Sequence, residues 1–301
     1  MTVTAGVGAG TAVAEHGGTY TTASGELVRV IASDGYAVDD VRNQKWAEFL
    51  SHLVHGAELA TVTLFLAPPA ELAEVCGLAA IACYDRRDHT IYAVGETYAD
   101  VSAEGVIAHE YGHHVAASRN NAPWLAIEWG TKHWATYTNI CARAEIGELA
   151  PGARNERYEL SPAEAFAEAY RVLNERRLGL PETAWDIVDE RFIPDERALA
   201  LLEQDVTTPW LSATIVTRTG RALRGLTSVV KVSTPLDGRF ATTVRSATPI
   251  QVELVQEGRV VARKTGRVVA LKTTVCGTRT ASVRVRGVTG ASRYTVTIAR
   301  P

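Results

Sequence analysis

The chain has 301 residues, of which 46% are hydrophobic and 22% charged, so a sizeable core is available and wholesale disorder is not expected. No stretch approaches the roughly 18 to 20 consecutive apolar residues of a membrane-spanning helix, which excludes such a span. The net charge of −3 conceals a division, because residues 1–210 carry 15 basic and 31 acidic residues whereas residues 211–301 carry 16 and 3. Such an asymmetry predicts two domains with different partners.

The N-terminal two-thirds of the chain is predicted to contain strands followed by helices. The first 24 residues are small and mildly apolar, and we predict a flexible N-terminal arm over 1–24. Strands are predicted at 26–33, 61–67 and 89–96, and helices at 38–56, 101–118, 124–146, 161–178 and near 195–204. Of these helices, the Trp-rich segment over 124–146 is expected to be core. The order of elements predicts an α+β domain over residues 25–206.

The composition and pattern of the sequence change at residue 207. Short runs rich in Thr, Val and Arg, such as "SVVKVS" and "ASVRVR", are separated by Gly, Asp or Pro. This pattern is typical of an all-β sandwich, which we predict over residues 207–301. Its basic composition predicts a contact with an anionic polymer or with the acidic half of the chain. No nucleic-acid partner is expected, because the segment has few aromatic side chains to stack on bases.

The four cysteines favour two disulfides and hence secretion. Cys76 and Cys83 lie close enough in sequence to close a short loop, which leaves Cys141 and Cys276 to pair across the domain boundary. Four buried thiols are the alternative interpretation.

The segment "EGVIAHEYGHHVAASR" (104–119) places polar, titratable groups in an apolar helix. His109 and His113 are four residues apart, so both imidazoles lie on one face of the helix, with Glu110 beside them. This HExxH pattern is the one in which two histidines bind Zn²⁺ and the glutamate acts as general base. We therefore predict one zinc ion per chain. His114 lies about 100° around the helix from His113 and is expected to be structural.

Two histidines need a third ligand, and the residues alone leave several candidates. Glu164 and Glu168 lie four apart in "LSPAEAFAEAYR" (160–171), and His133 in "EWGTKHWATY" is a further possibility. Ser161 and Glu164 also fit a capping box, in which the glutamate folds back on the start of its own helix. In that arrangement Glu168 would be the ligand.

The motif "HEYGHH" followed 51 residues later by "EAFAEAY" resembles the gluzincin group of zinc metallopeptidases, particularly secreted bacterial forms and lethal-factor-type catalytic domains. The resemblance covers about residues 80 to 180 and implies a zincin-like fold. It also implies that Glu164 is the metal ligand, that Glu168 orients a ligating histidine, and that Tyr158 stabilises the transition state. By the same resemblance, strand 89–96 is the sheet edge that pairs with an extended peptide substrate.

These observations predict a secreted zinc-dependent endopeptidase with an appended β-sandwich domain, acting on a peptide or protein substrate. One alternative is a catalytically degenerate protein with a structural zinc site, although such a site has no need of Glu110. Another is a zinc amidase that acts on cell-wall peptides.

Overall fold

A computed structural model describes residues 15–78, 80–99, 101–153, 157–277 and 279–301. The chain forms two compact units. One contains the chain up to residue 114 together with 174–183, and the other contains 115–173 and 184–301. Two of the three breaks between the units, after His114 and after Leu173, fall inside helices.

The protein is a mixed α+β structure with a β-rich C-terminal region. The α-helices in the described ranges are α1 (Asp40–His52), α2 (Pro69–Cys76), α3 (Ala103–Ala117), α4 (Ala126–Trp129), α5 (Lys132–Tyr137), α6 (Ile140–Glu145), α7 (Pro162–Leu178) and α8 (Glu196–Thr207). None of these helices is long and apolar enough to cross a membrane.

The first unit contains a five-stranded sheet with the order β1-β2-β3-β5-β4. Its strands are β1 (Glu15–Thr21), β2 (Leu27–Ser33), β3 (Thr63–Leu66), β4 (Ala82–Asp85) and β5 (Thr90–Ala93). The three inner strands run parallel, and β1 and β4 are antiparallel to their neighbours. Val28, Val30 and Leu64 on the inner strands are fully buried, whereas the alternate residues Leu27 and Arg29 of β2 are exposed, so the core lies against one face of the sheet here.

Part of the predicted flexible arm is a strand. Residues 15–21 form β1, which pairs along its whole length with β2, so the prediction of an arm over 1–24 is wrong for this stretch. Gly17 permits the pairing: its φ is +112°, and a Cβ at this position would lie 2.5 Å from the Val30 carbonyl oxygen. Residues 1–14 of the predicted arm lie outside the described residues.

The prediction that strand 89–96 forms the sheet edge is also wrong. Its ordered part, β5, lies between β3 and β4, and β4 forms the edge instead. β4 begins six residues after Cys76 and contains Cys83, so the disulfide between these cysteines fastens this edge strand to the end of α2.

The predicted helix over 124–146 is broken into shorter elements. The two-residue strand β7 (Trp124–Leu125), paired with β6 (Asn120–Asn121), precedes helices α4, α5 and α6. The breaks fall at Gly130 and Asn139, whose φ angles of +76° and +55° cannot continue a right-handed helix.

The C-terminal region is a six-stranded antiparallel sheet with the order β8-β13-β10-β12-β9, in which β11 also pairs with β10. The 19-residue strand β10 changes partner midway: Ala241–Ser246 pair with β13, whereas Ile250–Gln256 pair with β12. Alternate residues of these strands are buried in one apolar cluster. The strands are β8 (Thr214–Ala222), β9 (Thr227–Ser233), β10 (Gly238–Gln256), β11 (Arg259–Val275), β12 (Thr280–Gly287) and β13 (Ser292–Arg300).

Within the second unit, covalent and polar contacts join the helical segment to the β-rich region. The disulfide Cys141–Cys276 connects α6 to the end of β11, so both predicted pairings are confirmed. The predicted boundary between residues 206 and 207 therefore falls inside this unit, and as a boundary between domains it stays a prediction.

Lys132 reinforces this connection. Its side chain is buried, and its Nζ donates to the carbonyl oxygens of Ala122 and Asp237, each at 2.8 Å. The ammonium also lies 4.4 Å from the ring centroid of Trp210, a cation–π contact. Burial lowers the pKa of Lys132 to about 8.

Candidate metal centre

Helix α3 carries the HExxH motif in an apolar setting. Its neighbours Ile107 and Ala108 are at most 1% exposed, and His109 and Glu110 are only 6% and 9% exposed. The rings of His109 and His113 are nearly perpendicular and lie side by side with centroids 5.0 Å apart, as the spacing of four residues predicts.

Glu164, on the first turn of α7, supplies the third potential ligand atom. The ligand atoms offered by His109, His113 and Glu164 all lie within 4.8 Å of one another. Glu168 is not a member of this group. The geometry therefore favours Glu164 over Glu168 as the partner of the two histidines.

The alternative capping-box arrangement lacks its hydroxyl bond. The Ser161 hydroxyl is buried and has no hydrogen-bond partner among the described residues, although its carbonyl accepts the first helical bond from Ala165. Because the Ser161 hydroxyl does not cap α7, the capping box that would have directed Glu164 away from the metal is not formed.

Glu168 lies one turn further along α7 and is fully buried. The Nε of Arg171 donates to both of its carboxylate oxygens at 3.2 Å, and the Nη2 of the same guanidinium also contacts it. Arg171 is itself only 2% exposed, so the two side chains form a buried ion pair. This pair holds the Glu168 carboxylate in a fixed position.

Tyr158 lies next to the candidate ligand. Its hydroxyl donates a 2.6 Å hydrogen bond to Oε2 of Glu164, and its ring is 40% exposed. The phenol that the sequence singled out is thus at the candidate centre and accessible from solvent.

His133 is engaged elsewhere, which corrects its candidacy as a ligand. Its Nδ1 lies 2.6 Å from Oδ1 of the buried Asp205. The other Asp205 oxygen, Oδ2, accepts from the Thr131 hydroxyl at 2.7 Å and from the backbone amides of His133 and Trp134 at 2.8 and 3.0 Å. Asp205 thereby accepts hydrogen bonds from the free backbone amides at the N-terminus of α5. The contact between His133 and Asp205 spans 72 residues, so no local motif predicts it.

The Trp-rich segment only partly matches the expectation that it is core. Trp134 is fully buried and packs edge-on against Phe166 at a centroid distance of 5.3 Å. Trp124 and Trp129 are half-buried and stacked, with centroids 5.0 Å apart.

His114 has the structural role expected of it. It is fully buried, and its Nε2 lies 2.9 Å from the carbonyl oxygen of Glu58. Its Nδ1 lies 3.1 Å from the Tyr84 hydroxyl, which is also 3.0 Å from Nδ1 of His89. Burial raises the pKa of Tyr84, so this phenol is neutral at physiological pH.

The Tyr84 network was missed by sequence reasoning. Tyr84 belongs to β4 and His114 to α3, so their contact fixes the edge strand against the helix of the HExxH motif. The one sequence signal for it was His114, whose position about 100° around the helix from His113 implied a partner other than the metal.

Comparison with known proteins adds little to this geometry. No protein-family model and no curated protein matches the chain. Among solved structures, a mitogen derived from Yersinia pseudotuberculosis is 10% identical with a TM-score of 0.25, over 30% of this chain and 87% of its own. The pre-peptidase C-terminal domain of a Bacillus anthracis collagenase is 15% identical with a TM-score of 0.24, over 28% and 87%. Likenesses this weak identify neither a family nor an activity.

Proposed function

We propose that the protein is a zinc-dependent endopeptidase with a zincin-like catalytic domain and a C-terminal β-sandwich. The observation that carries the proposal is the grouping of His109, His113 and Glu164, with Glu110 beside them on α3. A structural zinc site would need only the ligands, whereas this site also carries a carboxylate suited to proton transfer.

The donor set fits Zn²⁺. Two imidazole nitrogens and one carboxylate oxygen are a common protein complement of a catalytic zinc ion, whose remaining position is open to water. When bound, zinc acts as a Lewis acid and lowers the pKa of that water to about 7. One ion per chain is proposed.

The residues of the chain would divide the remaining work. Glu110, next to His109 on a nearly buried stretch of helix, accepts the proton of the attacking water and passes it to the leaving amine. The Tyr158 hydroxyl, which donates its one proton to Glu164 in this structure, would turn away from Glu164 to donate to the oxyanion and stabilise it. Glu168, held by Arg171, would orient a ligating histidine.

The edge of the first sheet suits an extended substrate. Among the described residues, β4 has a strand neighbour only on its β5 side, so its other side can pair with a peptide backbone. Tyr84 and the Cys76–Cys83 disulfide hold this strand in place. Pairing through main-chain groups places little demand on the substrate sequence.

An extracellular setting accompanies the proposal. Two disulfides are typical of an oxidising compartment, because cytosolic reductants keep such thiols reduced. The substrate would then be an extracellular peptide or protein.

The decisive experiment compares two glutamates of the same helix. Glu110→Gln should lose several orders of magnitude in kcat on casein while keeping its zinc, because the ligands remain and the base is gone. Glu104→Gln is the matched control, since Glu104 lies at the start of α3, where it pairs with Lys45 at 3.2 Å. Near-normal turnover by Glu110→Gln would show that Glu110 is not the base.

The two rival functions are separated by substrate. A zinc amidase would cleave cell-wall peptides and leave casein intact, whereas a structural zinc protein would cleave neither. In both cases a chelator removes the metal, so activity rather than metal content distinguishes them.

A further inference from the structure

The β-rich C-terminal region has a groove of about 300 Å³ on one face of its sheet. We call it the arginine groove. Its lining residues come from three neighbouring strands, β9, β12 and β10: Thr227, Val229, Arg284, Arg286, Gln251 and Glu253.

The register of the strands arranges these side chains in two rows. Arg286 lies opposite Gln251 on one side and Thr227 on the other. Arg284 lies opposite Glu253 and Val229 in the same way. Because residues two apart on a strand share a face, the two arginines point the same way from positions about 6.6 Å apart along β12.

The two guanidinium groups in the groove are not neutralised. The one carboxylate lining the groove, that of Glu253, is paired with Arg263 of β11, whose Nε and Nη2 lie 2.7 Å from Glu253 Oε1. In the described part of the chain, neither Arg284 nor Arg286 makes a side-chain hydrogen bond or ion pair. The groove thus offers two unpaired cations beside an amide and a hydroxyl.

We propose that the arginine groove binds an anionic polysaccharide. Two guanidiniums about 6.6 Å apart suit successive carboxylate, sulfate or phosphate groups of a chain, and arginine engages such groups through paired N–H donors. Gln251 and Thr227 can hydrogen-bond to sugar hydroxyls. The net charge of +13 over residues 211–301 attracts the polymer.

Single-stranded nucleic acid fits the groove less well. Base stacking on aromatic side chains supplies much of the affinity for such strands, and none of the six lining residues is aromatic. The inference is independent of the proposed peptidase activity, because it concerns a different part of the chain and needs no metal.

The test measures binding of the full-length protein to dextran sulfate and to polygalacturonate at low salt, in the presence of a chelator. Neutral dextran and a single-stranded oligonucleotide serve as comparisons. The double variant Arg284→Gln/Arg286→Gln should bind both acidic polymers at least about tenfold more weakly, with a shallower salt dependence.

The matched control removes the same charge elsewhere. Arg218 and Arg221 are exposed residues of β8 and do not line the groove. Arg218→Gln/Arg221→Gln should reduce binding less than about threefold, and both double variants should keep the wild-type melting temperature. Equal losses in the two variants, tighter binding of the oligonucleotide, or no binding by the wild type would each overturn the proposal.

Discussion

Replacing Glu168 by Ala should destabilise the protein strongly even when no metal is present. Glu168 is fully buried, and Arg171, which holds it, is 2% exposed. Removing the carboxylate takes away a charged partner of the buried guanidinium. Breaking a buried ion pair from one side in this way costs about 3–5 kcal/mol of unfolding free energy.

Glu164→Ala is the matched control, one turn earlier on the same helix. Glu164 is half-buried, and it accepts a hydrogen bond from Tyr158, which is 40% exposed. Its loss should cost less unfolding free energy than the loss of Glu168 in metal-free protein, because water reaches this half-buried site. For zinc affinity the order of the two variants should be reversed. Glu164→Ala should abolish tight zinc binding, whereas Glu168→Ala should weaken it by about 10- to 100-fold.

Urea unfolding followed by tryptophan fluorescence, in the presence of a chelator, measures the first difference. Competition with a chromophoric chelator measures the second. If Glu168→Ala unfolds within 1 kcal/mol of the wild type, the buried ion pair does not carry the stability assigned to it. If Glu168→Ala loses zinc and Glu164→Ala keeps it, the ligand role belongs to Glu168.

Two further predictions concern buried polar groups of the second unit. Asp205→Ala should lower the unfolding free energy by about 3–5 kcal/mol, because it removes the acceptor of three buried donors. Asp205→Asn keeps one oxygen and should cost less than half as much. Equal losses of the two variants in urea unfolding would contradict this prediction. The pKa of Lys132 is lowered from its ordinary value of 10.5 to about 8 in the folded protein. Between these two pH values the unfolded chain therefore binds more protons than the folded chain, so the contribution of Lys132 to stability rises with pH in this range. Relative to Lys132→Met, the wild type should gain roughly 2 kcal/mol between pH 7.5 and 9.5, and a difference between the two proteins that does not change with pH would contradict it.

The elements with strong local signals could be predicted from the sequence. The apolar run around His109 and the cap-like start at Pro162 predict α3 and α7 within about two residues of their observed bounds. Both disulfide pairings follow from the positions of four cysteines. The spacing of the HExxH motif likewise predicts that His109 and His113 face the same way.

The features that depend on distant contacts could not be predicted. The small, mildly apolar residues of the N-terminus predict a flexible arm over 1–24, whereas Glu15–Thr21 forms β1 by pairing with β2. The helix expected over 124–146 breaks at two left-handed residues, and periodicity carries no information about backbone φ. His133 stayed a possible ligand because its actual partner, Asp205, lies 72 residues away and is not visible in the local sequence.

The zinc site is tested most directly by titrating metal-free protein with Zn²⁺ in competition with a chromophoric chelator. We expect one tight site per chain in the wild type, its loss in His113→Ala, and its retention in His16→Ala, because His16 lies on β1 and its ring bonds to the Tyr36 carbonyl. Absence of tight binding by the wild type, or undiminished binding by His113→Ala, would contradict the assignment of His109, His113 and Glu164 as a metal centre.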